Sequence, residues 1–401
     1  MKLSFNTVVK EAFWGIVARM VSAMIPVRKK HWVFSSDYGQ QYREGSKYLL
    51  EYMLREHPEY CCTFITRNPA VKKELDQRGI PCQVNFSWRG VLTIAKADSI
   101  FSTQYCDDIF FAYPKSGRRY YFLVHGMPYK RAYNAVPEAF RAKYKRNVSF
   151  LREWAARVRE WLVIAYTLDN VSFISCCSEF LQGYMKDFFG TKIAYPILGM
   201  PRNDGLFDDE RMKSEKWIDT GGRFVVTYMP THRAYGRGAV SPTPFAHRPD
   251  IQKWMEENGV LLVMKNHPNM IGKARPVDTP TSIDITASGI DPQVALYHTD
   301  VLITDYSSAW HDFLLLRRPI IFYYYDDFEE EDEGLLYSVH DQMPQYECFT
   351  EDELFQMIRT AKEDYDRMRP SAEWVSMYHL HLDGHSCQRH YEEIRKRYED
   401  E

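Results

Sequence analysis

Two successive series of short apolar strands alternating with amphipathic helices limit this chain to a doubly wound α/β architecture. The first series predicts strands at His31–Ser35, Cys62–Thr66, Ser99–Thr103, Tyr120–Val124, Ser172–Ser175 and Ala194–Gly199. Helices are expected at Ser46–Arg55, Ala70–Arg78 and Glu179–Phe189, with a basic helical stretch over 136–168. Turn chemistry at Pro201–Gly205 and Asp219–Gly222 then breaks the pattern. A second series comes after it, with strands at Phe224–Met229, Leu261–Lys265, Val301–Thr304 and Ile320–Tyr325 and helices at Ile251–Asn258 and Ser308–Leu316. Thr350-Glu351-Asp352-Glu353 forms a capping box that opens one more helix. Such alternation builds parallel sheets covered by helices on both faces. The expected division is 31–205 and 206–375, two Rossmann-like domains facing each other across a cleft. A helical segment is expected at 376–401, with the N-terminal domain as its packing partner.

The 401 residues carry a net charge of only −3, but the two halves differ sharply. Residues 1–200 hold 29 Lys and Arg against 17 Asp and Glu, whereas residues 201–401 hold 22 against 37. A basic half suits an anionic partner, and an uneven solvated surface gives the same count. The 8 cysteines form no CxxC pair and sit largely in apolar runs, as Cys176-Cys177 does. They read as reduced thiols of a cytosolic protein.

Residues 1–30 are expected to form an amphipathic helix. The apolar stretch Ala12–Val27 is 16 residues long and contains Arg19, too short and too charged to span a bilayer. Nor does a small-residue cleavage site come after it. Val9, Phe13, Ile16, Val17, Met20 and Met24 share one face, and Arg28-Lys29-Lys30 flank it. That pattern suits a helix lying on an anionic membrane surface; packing on the protein's own core is the competing reading.

In doubly wound sheets, ligands bind at the carboxyl ends of the strands. Four such ends carry polar groups: Val124-His125-Gly126, Met229-Pro230-Thr231-His232-Arg233, Lys265-Asn266-His267 and Thr304-Asp305-Tyr306-Ser307-Ser308. His125 has the chemistry of a general base, with Gly126 expected to turn the backbone. Arg233 offers a fork of donors for phosphate, and a protonated His267 can stabilise a leaving phosphate. Thr304–Ser308 at a helix start offers N–H and hydroxyl donors. Each has a plain structural reading alone: a strand-end His, a surface salt bridge, a Ser N-cap. Together they favour a nucleotide-diphosphate site. Neither GxxxxGK[ST] nor GxGxxG after a strand occurs, which disfavours ATPase and NAD chemistry. His379, His381, Asp383, His385, Cys387 and His390 fit no zinc spacing, so no metal is expected.

Phe34-Ser35-Ser36-Asp37-Tyr38-Gly39, His125-Gly126-Met127-Pro128-Tyr129-Lys130, Gly199-Met200-Pro201-Arg202-Asn203-Asp204, Pro230–Arg233, His267-Pro268, Leu302–Ser308 and Asp383-Gly384 occur in that order. The series resembles the CDP-glycerol:poly(glycerophosphate) glycerophosphotransferase family, the teichoic acid primases and polymerases, over roughly residues 31–395. The resemblance implies a GT-B fold with an N-terminal acceptor domain and a C-terminal donor domain. It implies transfer of glycerol phosphate from CDP-glycerol to a lipid-linked, undecaprenyl-type acceptor at the cytoplasmic face of the plasma membrane, with release of CMP. No other cofactor and no nucleic-acid partner are implied. His125 corresponds to the base, and His267 assists the donor phosphates. Arg233, Thr304, Asp305, Ser307 and Ser308 correspond to the donor phosphate site. Gly126, Lys130, Pro201, Arg202 and Asp204 are further motif residues, with Asp305 expected to orient its turn and Arg202 to tie the domain join. Met127, Tyr129 and His232 depart from the family pattern at positions expected beside donor and acceptor, which leaves CDP-ribitol or another CDP-alcohol open as donor. A nucleotide-sugar glycosyltransferase on the same fold is the alternative enzyme. A non-enzymatic membrane- or nucleic-acid-binding protein is the alternative outside catalysis.

Overall fold

The computed structural model describes residues 5–104, 107–131, 150–163, 166–231, 243–266, 279–326, 334–339 and 343–398. They divide into two units. One, the N-unit, takes the described residues of 1–125, 136–204 and 383–401; the other, the C-unit, takes those of 126–135 and 205–382.

The N-unit is built on a six-stranded sheet of β1 (Arg28–Phe34), β2 (Cys61–Thr66), β3 (Cys82–Val84), β4 (Ala97–Ser102), β5 (Arg119–Phe122) and β6 (Val171–Ile174). All neighbours are parallel, in the order β3-β2-β1-β4-β5-β6. The C-unit repeats this plan with β7 (Phe224–Met229), β8 (Val260–Met264), β9 (Ser282–Asp284), β10 (Val301–Thr304), β11 (Ile320–Tyr323) and β12 (Glu347–Cys348). Its order, β12-β11-β10-β7-β8-β9, is also wholly parallel. Each sheet therefore has the Rossmann order, with the reversal point between β1 and β4 in one unit and between β7 and β10 in the other. The central strands Val260–Met264, Val301–Thr304 and Ile320–Tyr323 are buried along their whole length. Helices cover both faces of such sheets, so the strands need continuous apolar runs.

Local chemistry sets the helix ends. Asn68 accepts from Ala70 N ahead of the helix Pro69–Gln77, and Ser87 accepts from Gly90 N ahead of Trp88–Lys96. The capping box is present at Thr350 and Glu353, where the helix Glu351–Glu363 begins. Two expectations are corrected. Ala194–Gly199 is no full strand: Pro196 lacks an N–H, and only single parallel bridges form at Phe173–Ala194 and Cys176–Ile197. The helix after β10 spans only Ala309–Leu314, because Arg317 adopts a left-handed φ of 51°. The basic stretch shows a helix at Phe150–Val163, and 132–149 lies outside the described residues.

Helix α1 (Phe5–Met24) packs one side on the N-unit core and leaves apolar residues exposed on the other. Trp14, Val17, Ala18 and Val21 pack with Val91, Ala95, Phe110, Phe111 and Val163 of the N-unit core. Buried Glu11 receives a two-pronged bond from Arg159, at 2.7 and 3.2 Å. The opposite side carries Val9, Phe13, Ile16, Met20 and Met24, which are 51–70% exposed. Val17 thus belongs to the buried side. No helix among the described residues is long and apolar enough to cross a membrane.

One close approach fixes the helix Trp88–Lys96 against the sheet. A Cβ at Gly90 would lie 2.0 Å from the Val84 carbonyl oxygen. Gly90→Ala is therefore expected to cost about 1–3 kcal/mol or more, by overpacking against rigid backbone. A matching drop in the urea midpoint checks this; an unchanged midpoint would refute the close approach.

Candidate active site

In the N-unit the two strands flanking the reversal point end in loops tied together by one carboxylate. After β1 the chain turns through Asp37, Tyr38 and Gly39, with φ of 49°, 57° and 69°. Two consecutive non-glycine residues in this region are costly, by about 1–3 kcal/mol each. The turn is held from several sides. Fully buried Asp108 accepts from Tyr38 N at 2.6 Å, Thr103 N at 2.6 Å, Gln104 N at 2.9 Å and Thr103 Oγ1 at 3.1 Å. Arg43 pairs with Asp37 at 2.8 Å, and Asp37 N donates to Thr103 Oγ1. Burial pushes the Asp108 carboxyl up to about 6, against the opposing pull of these donors. It stays mainly ionised at neutral pH and keeps all its acceptor positions.

His125 follows β5 on the same edge. Its Nδ1 lies 3.2 Å from the Thr103 carbonyl oxygen. A carbonyl only accepts, so this contact assigns the proton to Nδ1 and leaves the Nε2 lone pair open. Arg202, itself buried, donates to both the His125 carbonyl oxygen and Glu44. The backbone bends at His125-Gly126, and the left-handed residue beside it is Val124, with φ of 44°. Burial lowers the His125 pKa from its ordinary value, and Arg202 adds to this, while Glu44, the Thr103 bond and Asp37 pull it upward. The ring nevertheless keeps an exposed edge. The result is a neutral imidazole at pH 7, with one nitrogen pinned and the other available.

The remaining residues of the Pro201–Asp204 motif are architectural. Asp204 accepts from Ser386 N at 2.8 Å and Cys387 N at 2.7 Å, capping the helix Ser386–Tyr398, and the Pro201 carbonyl faces Cys387 Sγ. Burial raises the Asp204 pKa, opposed by these bonds. Gly199 sits at φ 74° with Ser386 Oγ 2.5 Å from where a Cβ would stand. The C-terminal histidines also have structural partners: His379 Nε2 meets the His311 carbonyl, and His390 Nδ1 meets that of Ser386. Among the described residues no group of His, Cys, Asp or Glu is placed to hold a metal ion.

In the C-unit the reversal point is closed in the same manner. Asp305 Oδ1 accepts from Thr231 N at 2.7 Å, joining the loop after β10 to that after β7. Thr304 Oγ1 donates to the Met229 carbonyl at 2.8 Å. Both side chains are fully buried, and their bonds join the two loops. Ser307 and Ser308 are half-buried. Ser308 stands at the N-cap of Ala309–Leu314 without making a side-chain capping bond, while Ser307 Oγ accepts weakly from Ala309 N at 3.4 Å. Arg233 and His267, like His232, lie outside the described residues. Gly126–Lys130 belongs to the C-unit, where Lys130 bridges to Leu335 and Arg131 N donates to Gly334 O. Met127 and Tyr129 are buried, with the Tyr129 ring 5.7 Å from Trp310. Both pack within the C-unit.

Sequence reading missed Asp108, Thr103 and Glu44. Asp107-Asp108 ahead of an apolar run was the only available signal, and it does not say which carboxylate turns inward.

Two Rossmann-like units in one chain, each with polar groups gathered at its reversal point, define the GT-B class. The chain belongs to the CDP-Glycerol:Poly(glycerophosphate) glycerophosphotransferase family, whose model matches residues 16–396. It is 25% identical over 320 residues to a teichoic acid poly(glycerol phosphate) polymerase of Bacillus subtilis (strain 168), covering 75% of this chain and 39% of that protein. A teichoic acid glycerol-phosphate primase of the same organism is 26% identical over 223 residues, 55% of this chain and 56% of the primase. The chain thus spans less than two thirds of either relative. A structure of the wall teichoic acid polymerase TagF superposes with a TM-score of 0.70 at 18% identity, covering 98% of this chain and 93% of that one. At that identity the likeness concerns the fold.

The His125 geometry has a direct check. An NMR titration of the imidazole is expected to give a midpoint below 6.5, because burial disfavours the cation. Glu44→Gln removes a charge that holds the cation in place, so the midpoint should fall further. A rise in that variant would refute the assigned electrostatics.

Proposed function

We propose that the chain transfers glycerol phosphate, or a related polyol phosphate, from a CDP-linked donor to a hydroxyl of a lipid-linked acceptor. CMP is the leaving group, and the product belongs to a teichoic-acid-like or capsular cell-surface polymer. Family membership supports the donor class. The observation that carries the mechanism is His125, with Nδ1 against the Thr103 carbonyl and Nε2 open. In this reading Nε2 takes the proton of the acceptor hydroxyl, and the freed oxygen attacks the β-phosphorus of the donor. The bond from that phosphorus to the bridging oxygen breaks, and CMP departs with the electron pair. Ser307 and Ser308 are the proposed donor contacts on the C-unit, with Arg233 and His267 assigned by motif alone. The reading requires both strand-end groups to act on one donor–acceptor pair. Catalysis then rests on positioning and on charge stabilisation, as in phosphoryl transfer generally.

His125→Ala should lower turnover by about 10²–10⁴-fold, the usual contribution of a general base, with little change in the thermal unfolding midpoint. CMP release from CDP-glycerol with a prenyl-diphosphate-linked acceptor is the measurement. Near-normal turnover would remove His125 from this role, and UDP release from a UDP-sugar instead would favour the glycosyltransferase.

The same reading places the chain on the cytoplasmic face of the plasma membrane as a peripheral protein. Its support is the exposed apolar side of α1, from Val9 to Met24, beside the basic run Arg28–Lys30. Phe13→Ser with Met20→Ser is expected to weaken co-sedimentation with phosphatidylglycerol vesicles by about tenfold or more, since each loses roughly 1.5–3 kcal/mol of apolar burial at full insertion. Unchanged sedimentation would show that α1 is not the contact.

A further inference from the structure

A cavity of the N-unit lies at the amino ends of the strands, whereas His125 follows the carboxyl end of β5. It has a volume of about 830 Å³ and opens beside the amino ends of β1, β4 and β5. Five of its lining residues are cations: Lys29, Lys30, Lys115, Arg119 and Arg395, against one carboxylate, Asp98. Two of these charges, Lys115 and Lys30, are set against neutral groups. Lys115 Nζ donates to the Ser22 and Ile25 carbonyls at the end of α1. Lys30 Nζ stands 4.9 Å from the centre of the Tyr60 ring. Lys29 and Arg395 are exposed at the mouth. Clustered cations with low-dielectric walls focus a positive potential into the space they enclose.

The walls add a second requirement. Pro26, Val27 and Ile394 line the cavity with apolar surface. Pro26 follows Met24, the last and most exposed member of the apolar side of α1, by two residues. A ligand suited to both features is an anion on a short carbon skeleton with an apolar extension at the helix side. A volume near 830 Å³ exceeds what a bare phosphate fills and falls within the usual range for organic ligands.

We propose that this cavity is a binding site for a phosphate ester of a small polyol, separate from the site that carries out transfer. Two sources share that chemistry: the headgroup of an anionic glycerophospholipid and a free glycerol phosphate unit. The site does not depend on the transfer reaction, and binding is read without turnover.

Isothermal titration of the full chain tests it with three probes: dihexanoyl phosphatidylglycerol below its micelle concentration, sn-glycerol 3-phosphate, and dihexanoyl phosphatidylcholine. The phosphatidylglycerol should bind, and Lys29→Glu with Arg395→Glu should weaken it by on the order of tenfold or more. Both residues are exposed, so circular dichroism should be unchanged. Phe13→Ser with Met20→Ser, which spares the cavity, should keep binding of the monomeric lipid. Competition by sn-glycerol 3-phosphate assigns recognition to the phosphate ester itself; binding of the lipid alone assigns it to the membrane source. The proposal is overturned if neither phosphate ester binds, if phosphatidylcholine binds equally well, or if the charge reversal leaves affinity unchanged.

Discussion

At the point where each sheet reverses, a buried carboxylate holds two diverging loops by their backbone N–H groups. Asp108 does this for the loops after β1 and β4, and Asp305, itself in the loop after β10, accepts from Thr231 N of the loop after β7. The need is topological. Neighbouring central strands send their chains in opposite directions, so the backbone groups just beyond them lose their ladder partners. A buried N–H left without a partner costs about 1–3 kcal/mol. One ionised side chain satisfies several at once and fixes the loops to each other. The strand-end groups of each unit depend on that tie. Thr103, held by Asp108, presents the carbonyl that orients His125. The turn held by Asp305 delivers Ser307 and Ser308.

Strain collects around the same place. Asp37, Tyr38, Glu44 and Val124 are non-glycine residues with positive φ, and all belong to the loops or helix start about His125. Val124 is β-branched, for which this region is a genuine outlier. The surrounding bonds over-determine these conformations: Asp108 and Arg43 at the first turn, Arg202 at Glu44 and at the carbonyl next to Val124. Rigid backbone on both sides of His125 reduces the freedom of its ring.

The sheets were legible in the chain because buried parallel strands are continuous apolar runs. Phe224–Met229 and Val301–Thr304 could be read residue for residue. The edge strands β9 and β12, three and two residues long, carry no such run and exist only through their neighbours. The site divides along the same line. His125, Arg202 and Asp204 stand out as polar groups at strand ends or turns. Their partners do not: Glu44 is 158 positions from Arg202, and Ser386 is 182 from Asp204. The sequence shows Thr304 and Asp305 as polar residues at a strand end but not the direction of their side chains. Only the neighbouring strand shows that both point inward.

Helix α1 has a mechanical meaning of its own. An apolar side on a flexible leader would act as a tether, leaving the body free to tumble within its reach. Here the reverse side of the same helix is part of the N-unit core, with Ala18 and Val21 buried and Glu11 clamped by Arg159. Any flat apolar boundary that takes up Phe13, Ile16 and Met20 therefore sets the tilt and roll of the whole N-unit. The sheet would then keep a fixed attitude to that boundary, and its search for a second molecule there would reduce to sliding and to spinning about one axis.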